Sequence, residues 1–110
     1  MTGVQTLAER KRARVEEIRA GLDVLRKKLT EYGQVHGGKF IMFGSAVTGR
    51  LHFDSDVDIL ADFDDADVGA ALDFVETECA RLELIADVQP KAWCKEEFIA
   101  RMAPGSLVIS

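Results

Sequence analysis

From Val57 to Phe63 the odd positions Val57, Ile59, Ala61 and Phe63 are apolar, while Asp56, Asp58 and Asp62 hold even positions around Leu60. Strand side chains alternate between two faces, so this period of two demands a strand over 56–63, apolar on one face and acidic on the other. Asp56 and Asp58 then leave the same face about 6 to 7 Å apart at the backbone, close enough to share a pair of metal ions ~4 Å apart. Taken alone, an Asp-x-Asp pair has a plainer reading as an acidic, solvated sheet face. What the rest of the chain brings to that face decides between the two.

Upstream, Val15, Ile18, Leu22, Leu25, Leu29 and Tyr32 recur in steps of three and four, one stripe of an amphipathic helix over 8–34, which Gly33, Gly37 and Gly38 are expected to end. Residues 39–43 are short and apolar on both faces, the mark of a central strand, and run straight into Gly44-Ser45. Downstream, Val68, Ala71, Leu72, Val75, Cys79 and Leu82 line a second helix, with Glu76 and Glu78 expected on its surface. Alternation resumes over 84–88, placing Asp87 on a third strand that Pro90 closes. A short helix over 95–102 and a last strand over 107–109 follow. The expected fold is α/β in the broad, α+β sense: a small mixed sheet flanked by helices.

With 110 residues the chain is expected to form one domain over 1–110, too small for a two-domain enzyme. Nothing approaches the ~20 apolar residues of a membrane span, and 1–11 holds no secretory stretch, so a cytoplasmic location without membrane contact is the expectation. Two cysteines, Cys79 and Cys94, make no disulfide framework and read as buried thiols. The net charge of −5 is unevenly spread: residues 1–28 carry eight Lys/Arg against four Asp/Glu, and 29–110 carry six against fifteen, giving +4 and −9. A region at −9 disfavours nucleic acid as partner, whereas a concave cluster of carboxylates suits divalent metal.

The turn 44–49, Gly44-Ser45-Ala46-Val47-Thr48-Gly49, joins a strand to a helical turn, and its small residues let backbone N–H groups approach phosphate. It is no Walker A loop, because Arg50-Leu51 stands where Lys and then Ser or Thr are needed. Residues 54–58 are no EF-hand loop either, because Ile59 occupies the position of the sharp-turn glycine. Gly44-Ser45, ten residues, Asp56-Val57-Asp58 and a third strand acid at Asp87 together resemble the nucleotidyltransferase signature of the DNA polymerase β superfamily. The chain is most similar there to the minimal nucleotidyltransferases, which include antitoxin partners of HEPN toxins.

That resemblance implies the nucleotidyltransferase fold and a set of roles. Asp56, Asp58 and Asp87 would be the catalytic, metal-binding triad holding two Mg²⁺ ions, or Mn²⁺, with Asp87 helping to deprotonate an acceptor hydroxyl. Gly44 and Ser45 would grip the β and γ phosphates of ATP. Relatives often read G-S-x-A-R-G, whereas Val47 and Thr48 stand here at the alanine and arginine positions, so by this resemblance Thr48 and Arg50 would border the nucleotide and a triphosphate contact would be either missing or supplied by Arg50 or Lys39. The implied function is a Mg-dependent adenylyltransferase that moves AMP to a hydroxyl on a small helical HEPN-type partner, as an antitoxin. Two alternatives stand beside it: a degenerate module that neutralises its partner by contact alone, and a small-molecule adenylyltransferase that needs a homo-oligomer to build an acceptor pocket.

The remaining features carry plainer readings. His36 and His52 are lone surface or turn histidines, Trp93 is a core or interface residue, and the cations of 10–14 form a solvated helix face.

Overall fold

The structure, a computed structural model, describes residues 6–49, 51–93, 95–102 and 106–109. In chain order the elements are α1 (Leu7–His36), β1 (Lys39–Phe43), α2 (Ser45–Thr48), β2 (Asp56–Asp62), α3 (Asp65–Arg81), β3 (Ile85–Pro90), a 3-10 turn (Lys91–Trp93), α4 (Glu96–Met102) and β4 (Ser106–Ile109). The four strands form one sheet in the order β3-β2-β1-β4. β1 is antiparallel to both β2 and β4, and β2 is parallel to β3, so the sheet is mixed and the expected fold class holds.

One sheet face carries the core. Phe40 and Met42 of β1 stand opposite Ala61 and Ile59 of β2, and with Val57 and Ile109 they meet Ile18, Leu22, Leu25 and Leu29 of α1 and Ala71, Val75 and Cys79 of α3. The stripes read from the sequence are therefore the faces that pack. Each fully buried leucine among them stabilises the fold by about 1.5 to 3 kcal/mol over an exposed one.

Both ends of α1 are built by local chemistry. Thr6 and Glu9 form a capping box: the Glu9 N–H donates to Thr6 Oγ1 at 3.1 Å, and the Thr6 N–H donates to Glu9 Oε2 at 3.3 Å. At the other end Gly37, with φ 73°, is the left-handed cap, and its N–H donates to the Gly33 carbonyl at 2.9 Å. Gly33 itself does not end the helix as expected. It lies buried within α1 because a Cβ there would sit 2.7 Å from the Gly38 carbonyl oxygen; the glycine permits a close crossing of helix and strand entry.

Two further expectations need correcting. Glu78 is buried, 7 % exposed, because it lies three residues after Val75 on the same stripe of α3; its carboxylate reaches Arg81 at 3.5 Å. Trp93, expected in the core or at an interface, is 78 % exposed, which rules out the core role alone. Pro90 closes β3 as expected, as its last residue, which the edge position of that strand tolerates. Among the described residues no helix is long and apolar enough to cross a membrane.

Candidate active site

The sheet's second face carries Asp56, Asp58 and Asp62 of β2, with Leu60 among them, and Asp87 of β3, since Val57, Ile59, Ala61, Ala86 and Val88 turn to the core. The parallel register pairs Asp58 directly with Asp87 and Asp56 with Ile85. Directly opposite strand residues stand about 5 Å apart, so the register brings the third acid beside the Asp-x-Asp pair. On the far side, antiparallel register sets Asp58 against Phe43, the last residue of β1, which leads into Gly44.

Gly44 is where the geometry is tightest. Its φ of 81° and ψ of −153° fall in a region that only glycine enters without strain, and a Cβ there would lie 2.6 Å from Asp58 Oδ2. The Asp58 carboxylate thus rests against the bare Gly44 backbone. The Gly44 carbonyl accepts from the N–H groups of Val47 and Thr48, both at 3.1 Å, and closes the single turn of α2. First-turn N–H groups of a helix have no partner within it, so this turn offers donors beside the carboxylates. Gly49, at φ 79°, ends α2, and Thr48 is exposed on its last position.

The loop into β2 is also held. The His52 N–H donates to Ser55 Oγ at 2.7 Å and the Ser55 N–H returns to the His52 carbonyl at 3.1 Å, fixing the approach to Asp56. Phe53 in that loop lies under the Lys11 ammonium, 4.7 Å from its ring centre. Arg14 donates to the Glu83 carbonyl just before β3. The basic start of α1 therefore overhangs the sheet end that carries Gly44, Asp56, Asp58 and Asp87. Length requires it: 30 residues of helix span about 45 Å, whereas the seven of β2 span about 23 Å, and α1 meets β1 directly at its other end.

The donor set suits a divalent cation on one observation. Burial holds the Asp58 carboxyl above its ordinary value, and the charges of Asp87 and then Asp56 raise it further. That is the electrostatic strain a dication relieves, and carboxylate oxygens are the ligands hard cations take. Among the described residues no three acidic, histidine or cysteine side chains are already drawn around one point, so the carboxylates share a face and a register without forming a finished shell.

Of the other residues singled out from sequence, Arg50 lies outside the described residues, as does Cys94, and Ser45 is described only as the first residue of α2. Lys39 is excluded as a triphosphate contact: it starts β1, opposite Asp62 and about 13 Å along the strand from Phe43, and pairs with Asp62 at 3.9 Å. Cys79 is a buried thiol, as expected, pushed up to about 11 by desolvation and then by Glu78. Lys11 and Phe53 were missed at this end; the mismatch between helix and strand length was the signal that would have found them.

No curated protein matches the chain. Among protein families, residues 22–109, most of its length, match the nucleotidyltransferase domain. A glycine turn against an aspartate, an Asp-x-Asp strand and an acid in parallel register beside it are thus the local expression of a match that runs from the second half of α1 through α2, α3, α4 and all four strands: the chain belongs to the nucleotidyltransferase domain family, and its general activity is nucleotidyl transfer.

Proposed function

We propose that the protein is a divalent-metal-dependent adenylyltransferase that moves AMP from ATP to a hydroxyl of a small helical partner of the HEPN type, and acts as that partner's antitoxin in the cytoplasm. The observation that carries this reading is the placement of the half-buried Asp58 carboxylate, in register with Asp87, on one strand face with Asp56 and pressed on Gly44. Asp56, Asp58 and Asp87 hold the cations, Mg²⁺ or Mn²⁺. When bound, these offset the charge of the triphosphate and of the attacking and leaving oxygens. Gly44 and Ser45 bind the β and γ phosphates through the first turn of α2, and Thr48 and Arg50 border them. The acceptor oxygen attacks the α-phosphorus, its proton passes to Asp87, and the bond to the bridging oxygen breaks to release pyrophosphate.

A protein acceptor is favoured by the rim of this face. Ile85, 57 % exposed, and Val108, 55 % exposed, lie on the acidic face at its two edge strands, an apolar border that suits a protein surface better than a small polar acceptor. A contact-only neutralising module is the second reading, and the exposed Thr48, where relatives carry arginine, favours it. Intact-mass spectrometry of the partner co-expressed with this chain decides between them. Added AMP mass with wild type and none with Asp56→Asn is expected; an unmodified partner from both supports the contact-only module. A free small molecule as acceptor would instead demand a second copy to complete the pocket, and would leave every protein unmodified.

A further inference from the structure

A pocket of about 400 Å³ opens at the carboxyl ends of the parallel pair β2 and β3, within the size of small-molecule sites. It is separate from the aspartate site, since Asp62 at its edge lies about 13 Å along β2 from Asp58. Phe63, Val68 and the buried Pro90 give it apolar walls, and Trp93 stands at the lip with 78 % of its surface exposed. An indole left so exposed is a surface that contact with another molecule removes from water.

The charges say what that molecule is. Asp62 is already met twice, by Lys91 at 3.4 Å and by Lys39 at 3.9 Å. Asp65 and Glu96, which also line the pocket, make no ion pair among the described residues. Among the described lining residues Lys91 is the one cation, and it is already paired with Asp62, so Asp65 and Glu96 stand without an ion-pair partner beside an exposed aromatic face. Aromatic rings flanked by carboxylates attract organic cations through the ring quadrupole and direct charge pairing together. We propose that this pocket is a second binding site, for a guanidinium or alkylammonium group stacked on Trp93 and paired with Asp65 and Glu96. The group reaches it on a free polyamine or on an arginine or lysine side chain of another protein.

Trp93 is the only tryptophan in the chain, so its fluorescence reports occupancy directly. Whole protein is titrated with spermidine, with a short arginine-containing peptide, and with 1,8-octanediol as a neutral control of similar reach. Saturable quenching by a cationic probe, weakened by added salt, is expected, with little response to the diol. The probe that binds more tightly identifies the source. Asp65→Asn and Glu96→Gln, both at exposed positions that should not disturb folding, should each weaken binding about threefold or more. Trp93→Ala, followed by calorimetry, should weaken it about threefold to tenfold. Glu96→Gln should leave Mg²⁺-ATP binding unchanged, separating this pocket from the aspartate site. No quenching by either cation, equal quenching by the diol, or wild-type affinity in both carboxamide variants would each overturn the proposal.

Discussion

Asp58 and Gly44 share one contact, and their substitutions should fail in opposite directions. A carboxyl raised in the folded state takes up its proton more readily there than in the unfolded chain, so folding stability falls as pH rises through the window between its ordinary and its raised value. Above that window the charged Asp58 opposes folding. Asp58→Asn should therefore raise the melting temperature of the metal-free protein at neutral pH, with the gain shrinking as pH drops through the window and gone below it. Melting curves across pH test this, and a variant less stable than wild type at pH 7 would refute it. Gly44→Ala meets two penalties at once, a Cβ at positive φ and a 2.6 Å approach to Asp58 Oδ2, and should cost about 1 to 3 kcal/mol in urea unfolding and lose nucleotide binding.

At the scale of elements, α1 and α3 make predictions that run against propensity alone. Glycine within a helix is ordinarily worse than alanine by about 1 kcal/mol. Gly21→Ala should recover part of that, because the nearest atoms to the new Cβ are Leu84 side-chain carbons at an ordinary 3.4 to 3.5 Å; Gly33→Ala should destabilise instead, because its Cβ meets the Gly38 carbonyl oxygen at 2.7 Å. The two variants compared by denaturant midpoint should move to opposite sides of wild type. The end of α3 is a Schellman motif: the Leu84 N–H donates to the Cys79 carbonyl at 2.7 Å and the Glu83 N–H to the Ala80 carbonyl at 3.1 Å. Glu83 occupies its left-handed position at φ 57°, where glycine is at ease. Glu83→Gly should stabilise by about 0.5 to 1 kcal/mol, and a loss on thermal unfolding would show that the Glu83 side chain does something the backbone geometry does not reveal.

For the molecule as a whole, the consequential feature is charge set against length. The molecule measures 56 Å in its long dimension, and α1, whose 30 residues span about 45 Å, carries Arg10, Lys11 and Arg12 in its first turns; none of the three makes an ion pair among the described residues. An acidic face alone would repel ATP, and a basic overhang at the same end offsets that field. Lys11→Glu should weaken Mg²⁺-ATP binding about threefold to tenfold at low salt, with the difference closing above about 0.3 M, where screening shortens to ~5 to 6 Å. Affinity unchanged at low salt would mean that the overhang plays no part in drawing in the nucleotide.

Periodicity was enough to place Ile18, Leu22, Leu25 and Leu29 on one helix face and Asp56 and Asp58 on one strand face, because those relations are set by the local repeat of the backbone. The glycine-serine turn and the Asp-x-Asp spacing likewise named the family within the chain's own residues. Which strands neighbour one another is different, because pairing joins segments far apart in sequence. Only the tertiary register could set Asp87 against Asp58, remove Lys39 to the other end of β1, and bring Lys11 over Phe53. Burial of Glu78, exposure of Trp93 and the passage of α1 through Gly33 were settled in the same way, by what each residue met across the fold. Local repeats fix the direction of a side chain, and the packing of distant elements decides what stands there to receive it.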